Sequence, residues 1–407
     1  MTDAARLQSR IDELARGGGS GTSVSRLGLT PLEGQARDVV ASWCRRQAAT
    51  ARIDEAGNLY VRFAGEDPNA PVLLVGSHID SVPEGGRFDG ALGVCCATEA
   101  IVSLKESGVR FARPVELVAW ADEEGARFGV GLFGSAAAFG RLPSNAAERR
   151  DPAGASVADA LRALGKAGDP TKARRDPRDI AAYLELHIEQ GPRLDRAGKA
   201  LGVVSDIVGI YHGRVTVRGR QDHAGATVMG ERKDALVAAS HLIQALELIA
   251  ALFPDTVGTV GEIAVRPGAK NVVPGECTFS LDIRAPKQES IDQVLEAFDD
   301  AVADVTGRRG VQVSIDRLQT VAVTPLDPEI RALLLRATNK VGVDAPLLVS
   351  GAGHDAQNPS LSGVPTGMIF VRSTGGSHNP KEFASTADAA LGARALELAI
   401  EELASRG

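Results

Sequence analysis

Short unbroken apolar runs alternate with longer apolar-rich stretches over much of the chain. Residues 71–76 (PVLLVG), 114–120 (PVELVAW) and 366–371 (TGMIFV) are almost wholly apolar, and the first ends in glycine. Such runs predict strands buried on both faces of a sheet. Between the first two, residues 91–108 are rich in Ala, Leu, Val and Ile and lack proline, which predicts a helix. Strand, helix and strand in that order imply a largely parallel sheet covered by helices.

A different rhythm begins near Val208. Residues 213–220 (GRVTVRGR) alternate apolar and polar, the period of a half-exposed strand. Leu236, Ile243, Leu246 and Phe253 then recur at helical spacing within residues 233–253. Strands follow near 258–266 and 277–284, a helix over 289–306 and a strand over 311–317. This β-α-β-β-α-β order is the ferredoxin-like pattern. Downstream, residues 327–341 predict a helix and the buried-strand pattern returns. The simplest account is an α/β domain formed by residues 1–207 and 321–407, interrupted by an α+β domain at 208–320. Residues 17–22 (GGGSGT) predict a loop or hinge.

Composition narrows the function classes. A chain of 407 residues suits two domains of about 100–200 residues each. With 44% apolar and 24% charged residues the chain is globular rather than disordered. Only 4% of residues are aromatic, so the cores must be built mainly from Ala, Val, Leu and Ile. A net charge of −7 argues against a nucleic-acid binder, which needs a basic surface. No apolar run reaches the roughly 18–20 residues that span a bilayer. The start, MTDAARLQSRIDELARGG, lacks the apolar core of a secretion signal, so a cytoplasmic protein is expected. Cys44, Cys95, Cys96 and Cys277 form no CxxC pair and no disulfide framework.

Seven histidines are present, and their neighbours separate them. His78 stands in GSHID at the carboxyl end of the first predicted strand, where open α/β sheets place ligand sites. Asp80 is spaced to accept a ring N–H from His78 and fix its tautomer. Asp89 follows in GGRFDG. Asp122, Glu123 and Glu124 crowd the end of the second strand, an unfavourable grouping unless a cation or deep solvation offsets it. His187 in ELHIEQGP and His378 in GGSHNP add two imidazoles, whereas His212 and His241 read as a strand-entry and a helix-face residue. Histidines and carboxylates without thiolates suit Zn²⁺, with Mn²⁺, Co²⁺ or Ni²⁺ as substitutes. Five candidate ligands with a bridging carboxylate suit two ions about 3.5–4 Å apart. A nucleotide-binding dehydrogenase would need a glycine fingerprint in the first strand–helix turn, and G-S-H-I-D-S does not supply one.

The segments GSHIDSVPEGGRFDGALGV, DEEGARFG, LELHIEQGP, HAGAT, KNVVPGECTFSLDIR, SGAGHDAQ and GGSHNP together resemble the zinc amidohydrolases related to aminoacylases and aminopeptidases. The branch is that of N-carbamoyl-L-amino-acid hydrolases and allantoate amidohydrolases, and the resemblance runs from about residue 20 to residue 400. It implies a di-metal aminopeptidase-like α/β catalytic domain with an inserted ferredoxin-like lid and dimerisation domain, working as a homodimer. It also implies that His78, Asp89, Glu124, His187 and His378 ligate two divalent ions, with Asp89 bridging, and that Glu123 is the general base. His223 takes the position of an oxyanion-stabilising residue. Gln190, Asn271, Arg284, Gly351, Ala352, Gly353 and His354 take substrate-binding positions. The implied substrate is a small ureido or amide compound bearing a carboxylate: first an N-carbamoyl-L-amino acid, then allantoate or another ureido acid, and last another N-acyl amino acid. The chain departs from the common HAG-Thr-Thr-Pro-Met pattern at Ala226–Met229, where it loses a proline and one hydroxyl. A binding protein that had lost catalysis would be expected to lack Glu123 or one of the five ligands; all six are present.

Overall fold

Strands with no polar break are stable in water only when both faces are covered, and the chain uses its apolar runs in this way. The computed structural model describes residues 2–405, which fall into two units. One comprises the chain up to Ser205 and from Pro325 onward; the other is Asp206–Thr324.

In the first unit every residue of strands Val72–His78, Val115–Trp120 and Thr366–Val371 is buried. The sheet has nine strands. Its centre runs Val115–Trp120, Val72–His78, Ile180–Ile188, Thr366–Val371, all parallel. Antiparallel Leu59–Phe63 and Thr50–Ile53 extend one side, and Leu201–Ile207 the other.

On one face Leu73, Val75, Leu117, Leu184, Leu186, Ile369 and Val371 form a core with helices Ala4–Arg16, Ala91–Glu106, Pro328–Lys340 and Thr386–Ala404. Helix Ala91–Glu106 is buried along nearly its whole length, as its alanine-rich sequence without an amphipathic stripe requires. The other face carries Leu74, Val118, Trp120, Tyr183, Met368 and Phe370. Trp120 packs there against Tyr60, Tyr183 and Phe139. Its indole N–H donates to Tyr183 Oη (2.9 Å), which donates to the Gly76 carbonyl (3.0 Å).

The charged N-terminal stretch is an amphipathic helix capped by Asp3, with Leu7, Ile11 and Leu14 on the core side. Arg10 is buried beside Glu99 of helix Ala91–Glu106 at 2.5 Å, and Arg6 pairs with the same carboxylate at 2.8 Å. Residues 17–22, expected as a loop or hinge, instead form part of a small antiparallel hairpin, Gly19–Ser20 with Ser23–Val24. Val24 also exchanges both backbone hydrogen bonds with Gly85. Main-chain pairing with a neighbouring loop outweighs the flexibility that the glycines suggest.

The second unit is an antiparallel sheet with two helices on one face. Strand Gly209–Arg218 lies between Glu276–Ala285 and Gln312–Val321. Val257–Thr259 and Ile263–Arg266 pair with the outer side of Glu276–Ala285. The single strand expected over 258–266 is therefore split. Ser280 Oγ accepts the N–H groups of Gly261 and Glu262 and draws the chain out of the ladder. Helices Ala235–Ala250 and Gln288–Arg309 cover Val215, Val217, Phe279, Leu281 and Ile283. The order is β-α-β-β-α-β, with the second strand in two pieces. Among the described residues, no helix is long and apolar enough to cross a membrane.

Glu99 is wholly buried with Arg10 as its buried counter-ion. Removing one partner of such a pair strands the other charge. Glu99→Ala is expected to lower the unfolding free energy by roughly 3–5 kcal/mol in a urea titration, whereas a loss below about 1 kcal/mol would show that the pair behaves as a surface one.

Candidate metal centre and active site

All four central strands deliver chemistry at their carboxyl ends. Val72–His78 ends on His78, and Asp80 lies just beyond it. Ile180–Ile188 carries His187 next to its last residue. Val115–Trp120 runs into Asp122, Glu123 and Glu124, and Thr366–Val371 into the loop bearing His378. Asp89 precedes Gly90, the N-cap of helix Ala91–Glu106. Gly90 has φ +60, and a Cβ there would lie 2.3 Å from the His78 ring, so only glycine fits the turn against that imidazole.

The side chains converge on Asp89. Its Oδ1 lies 3.2 Å from His187 Nε2 and 3.9 Å from His78 Nε2. Its Oδ2 lies 3.4 Å from His378 Nε2, which is 3.2 Å from Glu124 Oε2. Two donor groups thus share one carboxylate: His78, Asp89 and His187, and Asp89, Glu124 and His378. Glu123 Oε2 stands 3.6 Å from His78 Nε2. The groups differ in access, because His78 and His187 are buried and His378 is half exposed.

The hydrogen bonds around these groups fit metal ligation. His187 Nδ1 faces the Ile188 carbonyl at 2.9 Å, and its Nε2 accepts the Gly90 N–H at 3.2 Å. His78 Nδ1 faces the Asp80 carbonyl at 3.3 Å and Asp80 Oδ1 at 3.5 Å. With Nδ1 facing a carbonyl, each neutral ring would keep its proton there and turn an Nε2 lone pair inward, the two Nε2 atoms being 3.4 Å apart. Unprotonated, these two Nε2 atoms and the Asp89 carboxylate form a set of three ligand atoms close enough to share one cation. Glu124 Oε1 is buried with no hydrogen-bond partner, as an oxygen reserved for a cation would be.

Charge balance makes the same demand. Burial by itself lowers the His78 imidazole, but Glu123, Asp80 and Asp89 more than reverse this and hold it well above its ordinary value. Burial would raise Asp89, yet His187, His378 and His78 hold it well below the carboxylate range. Burial pushes Glu123 well up, with Asp355 and Glu124 adding to the effect and His78 opposing it. Asp80 ties the parts together, accepting the Glu123 N–H with Oδ1 (3.0 Å) and the Glu124 N–H with Oδ2 (3.1 Å). Asp122, Gln190 and His378 all have positive φ, between 50 and 60. Left-handed backbone at non-glycine residues clusters where side chains must be re-aimed.

Gln190 lies against Asp89: its amide nitrogen is 3.2 and 2.9 Å from the two Asp89 oxygens. Gly351 is exposed and Ala352 half-buried at the end of strand Leu347–Ser350. His354 is buried edge-on against His187, its Nε2 2.8 Å from Ser350 Oγ. Burial, reinforced by His187, holds it well below its ordinary value, and so neutral.

Reading the sequence residue by residue misses several supports. Glu185 takes Ser77 Oγ–H (2.8 Å) and the Ala356 N–H (2.9 Å), and Asp355 takes the Ser135 hydroxyl. Ser377 and Glu382 bind the Asp89 segment. Glu185, Asp355 and Ser377 are signalled only by lying in the same short motifs as His187, His354 and His378, and Glu382 lies outside them.

In the second unit, His223 and Val272 pair across a two-residue ladder, and the Ala224 N–H donates to the Asn271 carbonyl. His223 Nδ1 accepts the N–H groups of Gly225 and Ala226, both at 3.0 Å. This leaves the ring proton on Nε2, making the exposed edge a donor. Arg284 grips Asp282 through Nε and Nη2, each at 2.9 Å. His212, expected at a strand entry, lies within strand Gly209–Arg218 opposite Asp282 and contacts its Oδ2 at 3.2 Å. Burial alone would raise Asp282, but His212 and Arg284 hold it far below the usual range.

An N-carbamoyl-L-amino acid amidohydrolase of Geobacillus stearothermophilus is 41% identical over 410 residues, covering 99% of each chain. A probable allantoate deiminase of Oryza sativa subsp. japonica is 34% identical over 92% of this chain and 83% of its own. Among solved structures, an amidase of the hydantoinase/carbamoylase family from Burkholderia multivorans has a TM-score of 0.90 at 34% identity, covering 99% of this chain and 98% of its own. The model of peptidase family M20/M25/M40 matches residues 74–402, a span containing the whole cluster around Asp89, and the chain belongs to that family.

Proposed function

We propose that the chain hydrolyses the ureido C–N bond of N-carbamoyl-L-amino acids, giving the L-amino acid, CO₂ and ammonia. The observation carrying this reading is the pair of donor groups sharing Asp89, with Glu123 beside them. The relative named N-carbamoyl-L-amino acid amidohydrolase, matched end to end, supports the substrate class. The allantoate deiminase relative supports a second reading, hydrolysis of allantoate or another ureido acid by the same machinery.

His78, Asp89 and His187 would hold one divalent cation and Asp89, Glu124 and His378 another. Zn²⁺ is the first choice for such donors, with Mn²⁺, Co²⁺ or Ni²⁺ as alternatives. Bound there, the ions would polarise the substrate carbonyl and bring the pKa of a water towards about 7. Glu123 takes the proton of the attacking water and delivers it to the leaving nitrogen. Asp80 accepts the Glu123 peptide N–H and so fixes the backbone from which that side chain projects. His223 donates from Nε2 to the developing oxyanion, a role its backbone-bound Nδ1 supports. Arg284 receives the substrate carboxylate with its guanidinium plane set by Asp282. Asn271, Gln190, Gly351, Ala352 and His354 complete the substrate contacts. The second unit exposes Leu248, Leu252, Val257 and Ile263, the last two on edge strands, which supports a homodimer.

Metal-reconstituted protein is expected to release ammonia from a panel of N-carbamoyl-L-amino acids, and chelator-treated protein to release none. Activity on allantoate alone would select the second reading; activity only on N-acetyl amino acids would overturn both. Glu123→Gln should keep its metals and lose roughly 10²–10⁴-fold in kcat, and full turnover would remove Glu123 as the base. Arg284→Ala is expected to raise KM for carboxylate-bearing substrates while sparing amide analogues without the carboxylate. Equal damage to both would assign Arg284 another role.

Hydrogen bonds to Asp89 and Glu124 raise the metal-free His378 imidazole from 6.5 to about 10. A cation must displace that proton, so metal affinity should rise with pH towards 10, and uptake at pH 7 should release protons. Calorimetry in buffers of different ionisation enthalpy reads this directly. Uptake without proton release would exclude His378 as a ligand.

A further inference from the structure

Glu382 is a buried carboxylate that the reaction above does not use, and it has no arginine or lysine partner among the described residues. All its hydrogen bonds go to the segment or the loop that holds a ligand. Oε1 accepts the N–H groups of Phe88 and Asp89, both at 3.0 Å. Oε2 lies 2.7 Å from Ser377 Oγ, and that hydroxyl lies 2.6 Å from Asp89 Oδ2. Ser377 directly precedes His378, so one hydroxyl joins the bridging carboxylate, Glu382 and the loop of the half-exposed histidine.

Two further features serve this arrangement. A Cβ on Gly86 would sit 2.2 Å from Glu382 Oε1, so the GG pair at 85–86 leaves the space that the carboxylate fills. The loop from Thr374 to Phe383 is closed by a two-way backbone bridge, and Phe383 stands edge-on to Phe88 with ring centroids 5.9 Å apart. Burying a carboxylate without a counter-ion is costly, and here its hydrogen bonds go to the Asp89 segment and to Ser377 beside His378.

We propose that Glu382, acting through Ser377 and the Asp89 backbone, is the positioning residue that aims the Asp89 carboxylate and couples it to the loop carrying His378. This rests on the reading of Asp89 and His378 as metal ligands. Outer partners of metal ligands typically change affinity by roughly 10–100-fold when removed. Ser377→Ala cuts the link to Asp89 Oδ2 and leaves the Glu382–backbone bonds intact. Glu382→Ala removes both. Glu382→Gln keeps an oxygen for the two N–H groups and an N–H for Ser377 Oγ, freeing the serine hydroxyl for Asp89.

The test is titration of metal-free protein with Mn²⁺, followed by calorimetry and by the electron-spin signal of free Mn²⁺, with far-ultraviolet circular dichroism and melting of each metal-free variant. Wild type is expected to take two ions and His378→Ala one. Ser377→Ala and Glu382→Ala should bind an ion roughly 10–100-fold more weakly with unchanged metal-free folds, and Glu382→Gln should bind like wild type. Wild-type titration curves for both Ser377→Ala and Glu382→Ala would overturn the proposal. So would failure of Glu382→Gln to rescue a folded protein. If His378→Ala also titrates like wild type, the ligand assignment itself falls, and the positioning role with it.

Discussion

Asp89, Glu123, Glu124 and Asp80 crowd the carboxyl edge of one sheet with His78, His187 and His378, and such a group is stable only if positive charge sits among it. Protons on the imidazoles supply part of that charge. The Nε2 atoms of His78 and His187 face each other across 3.4 Å and the His187 one accepts a backbone N–H, so unprotonated they present lone pairs to a cation. Much of the first unit answers this constraint. Four parallel strands end together at the site, Gly90 turns the chain tightly against the His78 ring, and three non-glycine residues adopt left-handed backbone.

Around the centre, the sheet supplies rigidity rather than chemistry. Trp120 and Tyr183 lock the middle strands through a hydrogen bond that ends on the Gly76 carbonyl, two residues before His78. Asp80 performs a similar task with the Glu123 and Glu124 peptides, and Glu185 holds Ser77 and Ala356 on either side of the histidines. These contacts fix where the ligands stand without touching a reacting atom. Positions held by packing and backbone bonds need no reorganisation when charge develops.

The second unit solves a different problem, presenting polar groups from an antiparallel sheet. His223 has its tautomer set by two backbone N–H groups of its own loop, despite the absence of proline after it. Arg284 is oriented by Asp282, and Asp282 by His212 on the next strand. The alternation of strand Glu276–Ala285 makes this possible, since Asp282 and Arg284 share one face while Leu281 and Ile283 fill the core.

The sequence alone indicated the fold class, because period and run length act locally: residues 71–76 read as a doubly covered strand and residues 213–220 as a half-exposed one. It also carried the residue types of the centre: His78 ends a strand read from the sequence, Glu123, Glu124 and His378 follow one, and His187 stands in a short motif whose strand, Ile180–Ile188, the apolar pattern does not mark. What the tertiary structure decided lies between segments far apart in the chain. The roles of Ser377 and Glu382 depend on residues 85–90 folding against residues 374–383, and His212 acquires a partner only through its cross-strand register with Asp282. The glycines at 17–22 read as a loop or hinge, and Gly19 instead pairs with Val24 in a short ladder, with Val24 bonding on to Gly85. Local pattern reports which face of an element is apolar; which polar side chains meet is settled when distant strands and loops are brought within hydrogen-bonding distance.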